Sequence, residues 1–270
     1  MKNRMILQTI AGIFFVLIII AVLYYFTSNR ERQEIPTGEI FISNYTGYVA
    51  GYVNETVSLT VYWLKIGSSN FSGAIGIRNL PPCLESKGID LDVYCTNSRV
   101  KIETITVTLR LKKIGRCIMD NAYLEVWQGN SLKKVPLGSI EFEIIKPAEE
   151  RGLKILSHIG ALIGPEPSVP RLMYTILNPF NETVEILNVT FNVPGLKVSS
   201  FEPKVIGPGE SVNFTVRIVN TSKLNDLYVI KPLIVYQMGN KTNIMPLEVF
   251  YHATIPDEKR LVEMIKSQTD

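Results

Sequence analysis

Eight asparagines stand in Asn-x-Ser/Thr triplets with a non-proline centre: Asn44, Asn54, Asn70, Asn181, Asn188, Asn213, Asn220 and Asn240. Composition alone would give roughly two such triplets by chance. N-linked transfer needs an exposed acceptor on the outer side of a membrane, so the excess predicts a glycosylated ectodomain. The competing explanation is that Thr-rich surface strands generate triplets by composition.

The other chemistry-bearing residues are few. The three cysteines are Cys83, Cys95 and Cys117. An oxidising compartment would close one disulfide and leave one thiol. Their spacing is not that of a zinc site. Asp90 and Asp92, with Glu85 upstream, could offer two carboxylates on one strand face to a calcium ion. A solvated face that discourages edge pairing is the preferred reading. Glu141 and Glu143 alternate in the same way and suggest no function. His158 and His252 are the only histidines, and packing or surface roles are expected for both. No His-Glu-x-x-His, Cys-x-x-Cys, Gly-x-Ser-x-Gly or phosphate-loop pattern occurs. The expectation is therefore no catalytic residue, no metal, no cofactor and no enzymatic activity. Tyr45, Tyr48 and Tyr52, interleaved with Gly47 and Gly51, could bind glycan or protein. Packing of the first strand is the preferred reading.

These residues must be placed relative to a membrane. Met5–Phe26 is an uncharged apolar run, and at about 1.5 Å per residue it spans a bilayer core of about 30 Å. A cleaved signal peptide usually has a shorter apolar region and a small-x-small cleavage site. Here the run ends in Tyr24, Tyr25 and Phe26. An uncleaved anchor is expected, with Lys2 and Arg4 holding the N-terminus in the cytoplasm and the rest outside. The predicted order is a cytoplasmic tail (1–4), a transmembrane helix (5–26), a juxtamembrane linker (27–37), two β-sandwich domains (38–147 and 148–255) and a short C-terminal helix (256–270). The formal charge is +3, with lysines and arginines scattered, which argues against nucleic acid as a partner.

The ectodomain reads as all-β. Alternating stretches rich in β-branched and aromatic residues lie at 56–66, 100–111, 122–127 and 139–145. More follow at 172–177, 184–193, 211–219, 228–237 and 244–251. Turn signals separate them, which predicts two tandem immunoglobulin-like sandwiches. Either Leu153–Ile163 or Arg171–Leu177 would open the second. Gly129–Asn130 recurs at Gly239–Asn240 and Pro136–Leu137 at Pro246–Leu247, which suggests tandem copies of one module. Modules of about 30–40 Å set end to end would carry a binding surface roughly 60–80 Å from the membrane. Pro256–Lys266 reads as a helix whose Leu261, Met264 and Ile265 share a face. A cap over the second module is expected, with docking onto a partner subunit as the alternative.

Val205–Val216 (VIGPGESVNFTV) resembles the Pro-Gly-Glu corner of CARDB or NEW3-type modules, immunoglobulin-like units frequent in archaeal and bacterial surface proteins. The resemblance covers mainly Arg171–His252. The first half departs from it, with Thr96–Arg99 (TNSR) standing where the corner belongs. The resemblance implies fold and surface context only.

In a sandwich, a strand at Gly73–Arg78 and one at Val100–Leu111 would end at the same pole. That favours a Cys83–Cys117 disulfide with Cys95 free. The alternative is Cys83–Cys95 across a hairpin at Lys87–Gly88, and sequence leaves the pairing open. The functional expectation is a membrane-anchored extracellular binding or scaffold protein, serving adhesion or attachment to the cell envelope. Its partner would be a protein or envelope layer, and its oligomeric state is open. An accessory subunit of a membrane complex is the alternative, and a surface-polymer hydrolase is a distant third.

Overall fold

The computed structural model describes residues 38–66, 71–96, 100–128, 131–147 and 152–269. The apolar run Met5–Phe26, Asn70 and most of Thr96–Arg99 lie outside the described residues. Among the described residues no helix is long and apolar enough to cross a membrane.

In the first half the described strands are β1 (Gly38–Ile42), β2 (Tyr45–Tyr52), β3 (Thr56–Ile66), β4 (Phe71–Arg78), β5 (Leu84–Thr96), β6 (Val100–Leu111), β7 (Gly115–Met119), β8 (Tyr123–Gln128), β9 (Ser131–Pro136) and β10 (Gly138–Ile145). The second half has β11 (Lys154–His158), β12 (Ala161–Gly164), β13 (Arg171–Leu177), β14 (Val184–Thr190), β15 (Leu196–Glu202), β16 (Val205–Ile206), β17 (Ser211–Asn220), β18 (Leu227–Lys231), β19 (Leu233–Met238), β20 (Lys241–Pro246) and β21 (Phe250–Thr254). Helix α1 (Glu258–Thr269) follows β21.

Each half contains two antiparallel sheets. The orders are β1-β3-β6-β5 and β4-β8-β9 in the first, and β11-β13-β17-β15 and β16-β14-β19-β20 in the second. This is the two-sheet arrangement of an immunoglobulin-like sandwich. Alternation drives it. In β6 every second residue from Glu103 to Leu111 is buried, while Thr104, Thr106, Thr108 and Arg110 face outward. One core gathers Leu59, Val61, Ile105, Val107 and Phe142. The other gathers Tyr174, Phe214, Val216, Ile234 and Tyr236.

The halves repeat in register. The β8–β9 hairpin pairs Tyr123 with Pro136, and the β19–β20 hairpin pairs Leu233 with Pro246, each partner 110 residues further on. Past these hairpins each ribbon bends and enters a further sheet. Met119 pairs with Ile140 in β7–β10, and Leu227 pairs with Ala253 in β18–β21. The bend in the second half falls at Pro232, whose missing N–H ends the ladder while its carbonyl accepts from Leu247 at 2.8 Å. The stretches 228–237 and 244–251, each expected as one strand, are therefore two strands apiece, in different sheets. The opening of the second half likewise uses both expected segments, since β11, β12 and β13 are all strands.

The further sheet has six strands, β12-β21-β18-β2-β10-β7, and takes members from both halves. β2 lies parallel to β10 on one edge and parallel to β18 on the other. The two sandwiches are joined side by side through strand edges. This differs from the expectation of modules set end to end. The joint requires glycine at position 47, where a Cβ would run into the side chain and carbonyl oxygen of Val229.

Helix α1 begins with Asp257 as its cap, the Asp257 Oδ1 accepting from the Arg260 N–H at 2.9 Å. Its buried residues Leu261 and Ile265 belong to the first core, with Ile265 against Gly38. The helix therefore covers the first sandwich, not the second as expected. Ile40, Ile42 and Leu64 of β1 and β3 belong to the same core as its apolar stripe.

Candidate functional site

Where β1, β9, the 221–226 loop and α1 converge, a cleft of about 630 Å³ opens between the two halves. β1 contributes Glu39 and Phe41, β9 contributes Lys133 and Lys134, and the loop contributes Lys223, Asn225 and Asp226. Arg260 and Met264 reach it from the helix. Pairing of Phe41 with Trp63 and Glu39 with Lys65 sets one wall by strand register.

Beneath that wall lies a buried charge layer. The Trp63 Nε1–H donates to Glu39 Oε2 at 2.7 Å, and the other Glu39 oxygen is buried without a hydrogen-bond partner. Phe41 stacks on Trp63 with centroids 4.9 Å apart, and the Lys65 ammonium lies 3.6 Å from the Trp63 ring centre. Lys65 also bonds Glu103, which Lys101 holds at 2.5 Å. Burial alone would raise the Glu103 pKa. The hydrogen bonds from Lys101 and Lys65 outweigh it and hold the carboxyl below its ordinary value. The cleft thus has a cationic rim over an aromatic and carboxylate floor. Such a lining suits reversible binding of polar groups, with no nucleophile–base pair among the lining residues.

The candidate residues read from sequence are dispersed. Of the eight sequon asparagines, the seven described ones are all exposed. Asn44 lies at the lip of the cleft. Asn54 takes a positive φ of 72° at the β2–β3 turn, its N–H bonded to the Leu111 carbonyl at 2.7 Å. Asn188 and Asn213 sit on strands β14 and β17, and Asn220 ends β17. The disulfide joins Cys83 to Cys117, with Cα atoms 6.7 Å apart. Closing a loop over a sequence separation of 34 residues stabilises by about 3–4 kcal/mol in the chain-entropy account. Cys95 lies in β5, opposite Ile102.

Asp90 and Asp92 are exposed on β5 opposite Thr106 and Thr104. Glu85 sits instead beside Lys87 and Arg110, at 3.8 and 4.0 Å. Among the described residues no group of three or more His, Cys, Asp or Glu side chains gathers as metal ligands would. Tyr45 and Tyr48 are buried; the Tyr45 hydroxyl donates to the Thr60 carbonyl at 2.7 Å. Burial pushes the pKa of both phenols up. His158 is exposed and stacks on Tyr174, with ring centroids 6.3 Å apart. His252 is buried in β21, its Nε2 accepting from the Ser168 N–H at 3.4 Å.

Glu141 and Glu143, for which the sequence suggested no function, and several residues it did not single out make contacts in and around the joint. Glu143 accepts from the Tyr48 hydroxyl at 2.5 Å, and Glu141 accepts from Asn192 of the other half at 2.5 Å. Asn225 donates to Thr46 Oγ1 at 2.8 Å, and Lys231 pairs with Glu55. Asn178, fully buried, donates to the carbonyls of Glu182, Ile206 and Gly207 at 2.8 to 3.1 Å. It anchors the corner in which Glu210 bonds back to the Gly207 N–H at 2.7 Å.

No family model matches the chain, and no curated protein matches it. Solved structures do. The VesB protease of Vibrio cholerae is 13% identical over 36% of this chain and 31% of its own, with a TM-score of 0.28. This chain thus spans about a third of the length of that protease. A protein of unknown function from Porphyromonas gingivalis W83 is 11% identical, over 80% of this chain and 99% of its own, with a TM-score of 0.27. The D00-D0 domain of intimin is 7% identical, over 81% and 100%, with a TM-score of 0.23. Immunoglobulin-like β-sandwich domains, intimin among them, recur among these neighbours at low identity.

Proposed function

We propose that the protein is a single-pass, glycosylated scaffold held at the outer cell surface, binding a protein or envelope-layer partner without catalysis. The observation that carries this reading is the side-by-side fusion of two sandwiches through one sheet. A body so joined holds a binding surface in fixed orientation. The exposed sequon asparagines and the disulfide support an outer, oxidising compartment. The uncharged run Met5–Phe26 supports an anchor. The Gly207–Glu210 corner supports kinship with CARDB or NEW3-type modules, and the sequon density supports an archaeal source. Adhesion or envelope attachment is favoured over service as an accessory subunit, because α1 is already docked on its own β1. The cleft beside Asn44 is the surface assigned to the partner.

Mild-detergent extraction from native membranes, followed by mass spectrometry of glycopeptides and of co-purifying proteins, tests this. Occupied sequons with envelope-layer material are the expected result. Stoichiometric integral-membrane partners on an unglycosylated chain would overturn it.

A further inference from the structure

The joint between the two sandwiches has a direction, and among the described residues a second pair of the same edges is left open. β2 pairs parallel with β10 in the first half, and β12 pairs parallel with β21 in the second. β7 pairs antiparallel with β10, and β18 with β21. β12 is thus the second half's counterpart of β2, and β7 the first half's counterpart of β18. The joint is made by β18 on β2. The two ends of the six-stranded sheet are β12 and β7, the same two kinds of edge, each with one neighbouring strand among the described residues.

Exposure follows partnership. All five residues of β18 are buried, and β2 is buried along most of its length. In β7, Ile118 is 58% exposed; in β12, Leu162 and Ile163 are 44% and 37% exposed. The β18–β2 joint uses four residue pairs, Tyr228–Lys231 against Thr46–Val49. β12 has four residues and β7 has five, enough for a joint of the same length.

We propose that β7 of one molecule pairs in parallel with β12 of a second copy, repeating between chains the joint that β18 and β2 make within one. The contact is heterologous, so each new copy presents the same free edge again and the sheet grows head to tail. Backbone hydrogen bonds supply the attraction, as in strand addition generally, while the exposed isoleucine and leucine side chains become covered. The inference rests on strand order alone and does not depend on the anchoring or the glycosylation of the chain.

The test uses the full chain in detergent micelles, with mass photometry across a concentration series. The variants are Ile118→Lys and Leu162→Lys, both at exposed positions, each placing a charge on one edge. The unmodified chain is expected to form a ladder of dimers, trimers and larger species. Each variant alone should be monomeric. An equimolar mixture should stop at dimers, because one open edge of each kind remains. A monomeric unmodified chain would overturn the proposal. So would dimers formed by either variant alone, or a mixture that stays monomeric.

Discussion

His252 is a buried base with only one of its ring nitrogens hydrogen-bonded, Nδ1 having no partner. Burial lowers its pKa, and the nearby Asp226 only partly offsets this. The folded protein therefore refuses a proton that the unfolded chain accepts. The stability from this residue is complete above a pH of about 6.5 and is lost as pH falls below it. The urea midpoint should drop between pH 7 and pH 5, and His252→Gln should flatten that part of the profile. Glu103 acts in a lower window, because its depressed pKa contributes stability that is lost only below about 4.3. Its partner Lys65 is equally buried. Lys65→Ala is expected to cost about 2–4 kcal/mol in denaturant unfolding, since it removes the buried partner of Glu103 and leaves that carboxylate to Lys101 alone. The double replacement Lys65→Met with Glu103→Leu should recover most of that loss. Sequence spacing pointed to Cys83–Cys117 as one of two pairings, because strand ends place residues at poles. It missed Glu39 and Lys65, because an isolated charge within an alternating strand gives no sign of which charges lie across the sheet.

The strands β3 and β6 were the most legible, whereas β5, longer than either, was not among the expected stretches. β6 alternates from Glu103 to Leu111 and β3 from Thr56 to Val61, because one wet face and one dry face impose a period of two; beyond Val61, β3 is buried on both faces. The stretch 228–237 hid its division, since β18 is buried on both faces and has no alternation to lose at Pro232. Helix α1 was legible as a helix but not in its target, because an apolar stripe specifies a face and not the surface that will meet it. Its contribution is measurable. Leu261 and Ile265 are nearly fully buried, so replacing either with alanine should cost about 2–4 kcal/mol, read as a lower urea midpoint. The exposed Glu263 is an internal control, and Glu263→Ala should change stability by less than about 0.5 kcal/mol.

The joint between the sandwiches had no sequence signature, because parallel edge pairing is made by backbone groups that every residue carries. Only Gly47 marks it, and a lone glycine in a strand has several readings. A shared sheet and interlocked cores make the two halves one cooperative unit. Scanning calorimetry of the full chain should give a single unfolding transition. Gly47→Val should split it in two, with the first component about 5 °C lower, because the new side chain has no room against Val229. Synthesis proceeds from the N-terminus, so these contacts also have an order in time. Thr46 emerges 179 residues before Asn225, the residue that bonds it. During that interval β2 lacks the partner that β18 will supply, and β1 lacks Ile265, which comes still later. A prematurely terminated chain would keep both defects for good. Closure of the joint is therefore a late event in synthesis, coming only after most of both halves has emerged.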